Sequence, residues 1–214
     1  GGIKTYQWVN IPLALVGRVD KKDGTVVNIS VGFKENDPMR ASEPDAETFR
    51  WQMTLVKRYF SPLSISSALA HIQSGTLPAN AICITFDDGY INNLTVAAPI
   101  LHELNIPATV FVATGFSSGE NMWNDRLIDL ISLVDTEIDL SAVELPSVAL
   151  IDVTQRVSLA HQLIGKIKSL PYEERKLLID KIYQDNQISE NESKMMTPAQ
   201  IIKLEQLGIE IGAH

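Results

Sequence analysis

Ala81-Ile82-Cys83-Ile84-Thr85-Phe86-Asp87-Asp88-Gly89-Tyr90 is an apolar run that ends abruptly in two carboxylates and a glycine. Apolar and β-favouring residues in a run of this length suit a strand covered on both faces, and Gly89 permits a sharp turn directly after the acids. Chemistry in α/β folds is placed at the carboxyl ends of strands, so the run reads as a buried strand delivering Asp87 and Asp88 to a site. The competing reading is that the two acids only cap a turn or the next helix, since Asp and Gly are ordinary turn residues.

The flanks decide for an α/β fold. Downstream, Pro99 is tolerated in a first helical turn, so a helix is expected from about Ala98 to Asn105. Pro107 then introduces a second apolar strand, Ala108 to Val112, and strand, helix, strand implies a right-handed parallel crossover. The loop Gly115 to Gly119 falls on the same rim as the acids. Upstream, Val26 to Val31 reads as a first strand after the Lys21-Lys22-Asp23-Gly24 turn, whereas Tyr6 to Val19 supports no assignment. Phe49, Met53, Val56 and Phe60 follow the acids Asp45 and Glu47 and mark one helical face. Leu63 to Ile65 is expected as a short strand, and Ser66 as the cap of a helix ending near Ser74-Gly75.

Beyond Asn121 the texture changes. Asp125 to Val134, Val157 to Ile167 and Pro171 to Tyr183 read as helices, and Ile138 to Val153, broken by Leu145-Pro146-Ser147, as a hairpin. Residues 121–194 are thus expected to be a mainly helical insertion, with a polar, mobile tail from Gln184 to Lys194. Thr197-Pro198-Ala199-Gln200 then combines a capping residue, a first-turn proline and a capping-box glutamine ahead of Ile201, Leu204 and Leu207. Ile209-Glu210-Ile211-Gly212-Ala213-His214 is another short strand, ending in a ligand-type side chain.

Composition narrows the function. The chain has 214 residues, 18 basic against 26 acidic, and a net charge of −8 with no Lys/Arg stripe, which argues against a nucleic-acid partner. No segment has the apolar length of a membrane span, and the amino terminus lacks the basic-then-apolar layout of a signal peptide. The single cysteine, Cys83, lies in the expected central strand and reads as a small buried hydrophobe. His102 and His161 fall in expected helices without a ligand partner one turn away, so both read as solvent-facing.

Thr85-Phe86-Asp87-Asp88-Gly89-Tyr90 resembles the first signature of the polysaccharide deacetylases, the NodB-homology family or carbohydrate esterase family four. Ile209 to His214 resembles the run into that family's second signature, His-Ser/Thr-x-x-His, and supporting similarity runs from about Asp37 through the Pro99 helix, Pro107 to Gly115, Met122 to Arg126 and Met195 to His214. The resemblance implies a distorted (β/α) barrel, incomplete in this chain and interrupted by the helical insertion. It implies metal-dependent hydrolytic removal of N-acetyl or O-acetyl groups from a bacterial polysaccharide or amino-sugar oligomer. Asp87 is then the general base, and Asp88 and His214 are metal ligands. The metal is expected to be zinc, with cobalt, nickel or manganese also accepted by imidazole and carboxylate donors.

The departures from the pattern are specific. The second histidine of His-Ser/Thr-x-x-His, expected four positions after His214, is absent from this sequence, as are the family's later signatures, and Asn28-Ile29-Ser30-Val31 stands where relatives often carry Tyr-His. The expectation is therefore a single truncated domain over residues 1–214, inactive alone and weak in metal binding, whose open strand edges could pair with a second copy. Two other readings stay open at this point. One is a noncatalytic carbohydrate-binding protein on a degenerate deacetylase fold. The other is a magnesium-dependent phosphoryl-transfer or receiver domain, which also places carboxylates at a strand end.

Overall fold

The computed structural model describes residues 26–28, 38–40, 45–113 and 120–213. They divide into two compact units, one comprising Gly1–Asn36, Arg40–Gly119 and Lys194–His214, the other Asp37–Met39 and Glu120–Ser193. The expected strand residues 29–31 and the 115–119 loop lie outside the described residues, as does His214.

The first unit is a parallel five-stranded sheet with helices. The apolar run is its central strand, β3 (Ala81–Phe86), buried along its whole length. It pairs in parallel with β1 (Val26–Asn28), β2 (Ser61–Leu63) and β4 (Thr109–Val112), and β4 pairs in parallel with β7 (Glu210–Ala213). Among the described residues no pairing joins β7 to β1. The architecture is mixed α/β, as read from the sequence.

Alternation along these strands separates two faces. Ile82, Ile84 and Phe86 of β3, Ala108 and Val110 in and before β4, and Ile209 before β7 all enter one apolar cluster. Its other wall is α1 (Ala46–Tyr59), whose Phe49, Met53 and Val56 recur at helical spacing and are buried. Phe49 meets Phe86 edge-on, with ring centroids 6.1 Å apart. Asp45 starts α1 by accepting the Thr48 N–H at 2.7 Å.

One local expectation is corrected, and one helix starts where expected but gains a turn ahead of it. The cap of α2 (Ile65–Ser74) is Ser64, whose hydroxyl accepts the Ser67 N–H at 3.2 Å, because β2 ends at Leu63 rather than Ile65. The helix expected to begin near Ala98 is preceded by a π-helical turn, Asn93–Ala97, that feeds α3 (Ala98–Glu103). Pro99 lacks an N–H, so the wider turn ahead of it forfeits nothing at that position.

The second unit contains α4 (Trp123–Leu133), an antiparallel pair β5 (Glu137–Ile138) and β6 (Val148–Ala149), α5 (Val153–Ile167) and α6 (Tyr172–Asp185). Leu127, Leu130, Ile131, Leu159, Leu163, Ile179 and Ile182 form its core. Arg156 donates to the carbonyls of Ile131, Val134 and Asp135, neutralising the carbonyl end of α4. Arg126 bridges Asp180 at 2.6 Å and Glu190 at 2.7 Å, and its guanidinium lies over the Tyr183 ring. The 184–194 tail is therefore tied at Glu190. Among the described residues no helix is long and apolar enough to cross a membrane.

Candidate acid-pair site at the sheet rim

The described strands of the first unit are all parallel, so their carboxyl ends share one rim. The sheet face opposite the apolar cluster carries a polar row beside Cys83. Register aligns Thr85 with Thr109 and Thr109 with Glu210, a row across three strands. The first turn of α2 covers it. The Ile65 N–H donates to Thr109 Oγ1 at 3.3 Å, Thr109 Oγ1 donates to Glu210 Oε1 at 3.1 Å, and Ser66 donates to the Glu210 carboxylate through both its N–H and its hydroxyl. Cys83, one step below in the same face, is buried, and its thiol is pushed up to about 11 by burial and by the Glu210 charge. It is an inert thiol, as its place in the strand implied.

Asp87 and Asp88 follow Phe86 at the rim, both partly exposed. Successive residues of an extended strand point to opposite faces, so two neighbouring carboxylates meet only if the chain turns between them. It does so at Asp88 itself. Asp88 has φ 70°, Gly89 has φ 81°, and the Gly89 N–H donates to the Asp87 carbonyl at 2.9 Å, closing a three-residue turn centred on Asp88. A non-glycine residue held there costs about 1–3 kcal/mol. Gly89 is required twice over, by its φ and by space, since a Cβ there would stand 3.1 Å from Val112 Cγ1.

The turn is held from outside by the segment that precedes α7 (Pro198–Gln206). Met196 N–H donates to the Gly89 carbonyl at 3.0 Å, Ile91 N–H donates to the Lys194 carbonyl at 2.6 Å, and Tyr90 and Met195 form an antiparallel bridge. Met195 and Met196 are buried. These residues were not singled out from the sequence as part of the site. Their signals there are an apolar pair standing directly before the Thr197 cap and a place at the start of the family-like stretch from Met195.

The acids expected to act together are thus adjacent on one constrained turn. β7 ends at Ala213, paired with Val112 at the same rim, and His214 lies outside the described residues. Among the described residues no group of three His, Cys, Asp or Glu side chains is placed to hold a metal ion. The described donor set is two carboxylates, oxygen ligands suited to a divalent cation but short of a full shell. His102 and His161 are exposed on α3 and α5.

Residues 74–157, under half of the chain, match the family model described as polysaccharide deacetylase. Among solved structures, the deacetylase domain of BpsB from Bordetella bronchiseptica is similar at 21% identity and TM-score 0.38, covering 76% of this chain and 41% of that one. A de-N-acetylase from Aggregatibacter actinomycetemcomitans is similar at 20% identity and TM-score 0.43, covering 89% and 52%. Both structural likenesses are weak. A different likeness covers 39 residues, 62% identical to a probable M18 family aminopeptidase 1 of Clostridium acetobutylicum, which is 18% of this chain and 8% of that protein. The chain therefore spans under a tenth of the curated relatives it matches.

Proposed function

We propose that this chain belongs to a hydrolase that removes acetyl groups from an acetylated polysaccharide or amino-sugar oligomer by cleaving the acyl carbon–nitrogen bond, with Asp87 as general base and Asp88 and His214 as ligands of a divalent cation. The observation that supports the reading is the left-handed turn at Asp88, within the deacetylase-matched residues and directly after the central strand of the parallel sheet. Amide hydrolysis needs an activated water and relief of charge on the carbonyl oxygen. A divalent cation, zinc as the family resemblance implies, supplies Lewis-acid polarisation and a more acidic water when bound.

The chain's own residues divide the rest of the work. Asp88 holds the cation through its carboxylate. Asp87 accepts the proton of the water as oxygen adds to the acyl carbon, and the carbon–nitrogen bond then breaks, leaving acetate and the amine, which gains a proton. Gly89 keeps the two carboxylates at the same turn, and Val112 walls the side toward β4.

The test is acetate release from a chito-oligosaccharide by the natural protein that carries these residues. Asp87→Asn is expected to lower the rate by about 10²–10⁴-fold while leaving cation affinity near that of the wild type. Near-normal turnover in Asp87→Asn would remove Asp87 from the role of base.

A further inference from the structure

Asp88 keeps a backbone conformation that side-chain-bearing residues rarely adopt, and such a residue stays there only when its surroundings over-determine it. Within the turn the Gly89 N–H donates to the Asp87 carbonyl. Further restraints come from far along the chain. The Met196 N–H fixes the Gly89 carbonyl at 3.0 Å, the Lys194 carbonyl fixes the Ile91 N–H at 2.6 Å, and Met195 bridges Tyr90. Met195 and Met196 are buried, so the segment cannot slide along the turn without emptying packed space. Immediately afterward, Thr197 accepts the Gln200 N–H and Gln200 accepts the Thr197 N–H, which fixes the segment's far end to α7.

We propose that Lys194–Met196 is a positioning segment for the acid pair, so that cation binding at Asp88 and the pairing of Met196 with Gly89 are linked. The proposal rests on the reading of Asp88 as a cation ligand. If the clasp favours the turn that binds the cation, then by reciprocity the bound cation strengthens the clasp. The Ile91 and Met196 amides, more than a hundred residues apart in sequence, should respond together.

The experiment uses zinc as the probe. Hydrogen exchange is measured at the Ile91 and Met196 amides with and without zinc, and zinc affinity is measured by calorimetry for the wild type, Met196→Leu, Met196→Pro and Asp88→Asn. Zinc is expected to slow exchange at both amides by about tenfold, while the Leu204 amide in α7 is unchanged. Met196→Leu keeps the N–H and should bind zinc within about twofold of the wild type, whereas Met196→Pro removes the N–H and should weaken binding by about tenfold. If Met196→Pro fails to fold, the exchange measurement on the wild type decides alone. Zinc binding that is lost in Asp88→Asn but leaves the Ile91 and Met196 amides unchanged overturns the linkage and spares the site. Equal slowing throughout α7 marks general stabilisation and also overturns the linkage. Zinc affinity that is the same in the wild type and Asp88→Asn, or absent from both, overturns the ligand reading and the linkage with it.

Discussion

Replacing Gly89 by alanine separates the two demands that the turn makes on that position. Gly89 has φ 81°, and its missing Cβ would lie 3.1 Å from Val112 Cγ1 and 3.6 Å from the Val112 Cα. The left-handed backbone alone costs an alanine about 1–2 kcal/mol. Crowding against Val112, a β-branched residue in a paired strand with little freedom to withdraw, adds about 1–2 kcal/mol. Gly89→Ala is therefore expected to destabilise the first unit by about 2–4 kcal/mol. Gly75 is the internal control, because it has φ 69° and nothing within 4 Å of a built Cβ, so Gly75→Ala should cost the backbone part only. Denaturant unfolding of the two variants gives the difference. Adding Val112→Ala to Gly89→Ala should recover about 1 kcal/mol as a coupling energy, because the atom in the way is gone. Equal costs at Gly75 and Gly89, or no coupling to Val112, would refute the packing of the turn against β4.

Two further outcomes follow from the same structure. Arg126→Ala leaves Asp180 and Glu190 without their cation, but both are more than a third exposed, so the expected loss is about 2 kcal/mol rather than that of a fully buried pair; a melting temperature unchanged by the substitution would contradict the bridge. Cys83 should resist thiol reagents at pH 8, its thiolate population reduced by about a hundredfold because burial and Glu210 move it from 9.0 to about 11. Its folded-state value lies above the unfolded one, so the stability tied to the neutral thiol is fully present below pH 9 and is lost as pH rises through about 11, which alkaline unfolding monitors.

Much of the fold was legible because the signals were local. The 81–86 run is apolar on both faces and became the central strand; the helical spacing of Phe49, Met53 and Val56 became the core face of α1; the Thr197 and Gln200 pair became a capping box. The misses share a physical cause. Ser64 and Ser66 are both good caps, and the choice between them was made by where β2 stops pairing with β3, which is a tertiary fact. The π-helical turn at Asn93–Ala97 has no composition of its own. At the site, the acid pair and the need for a turn were readable from Asp87-Asp88-Gly89. That Asp88 rather than Gly89 alone bears the unusual backbone, and that residues 194–196 hold it there, depends on pairing between segments about a hundred positions apart. The polar row of Thr85, Thr109 and Glu210 was hidden for the same reason, since register rather than sequence puts these residues side by side.

The central claim is that the turn after β3 presents Asp88 to a divalent cation while Asp87 stays available as a base. Zinc titration by calorimetry on the wild type, Asp87→Asn and Asp88→Asn tests it most directly. The account predicts measurable binding to the wild type, binding within about threefold of it in Asp87→Asn, and a loss of about tenfold or more in Asp88→Asn, the scale at which removing one ligand exceeds removing a supporting partner. Equal affinities for the wild type and Asp88→Asn, or a greater loss in Asp87→Asn, would contradict it.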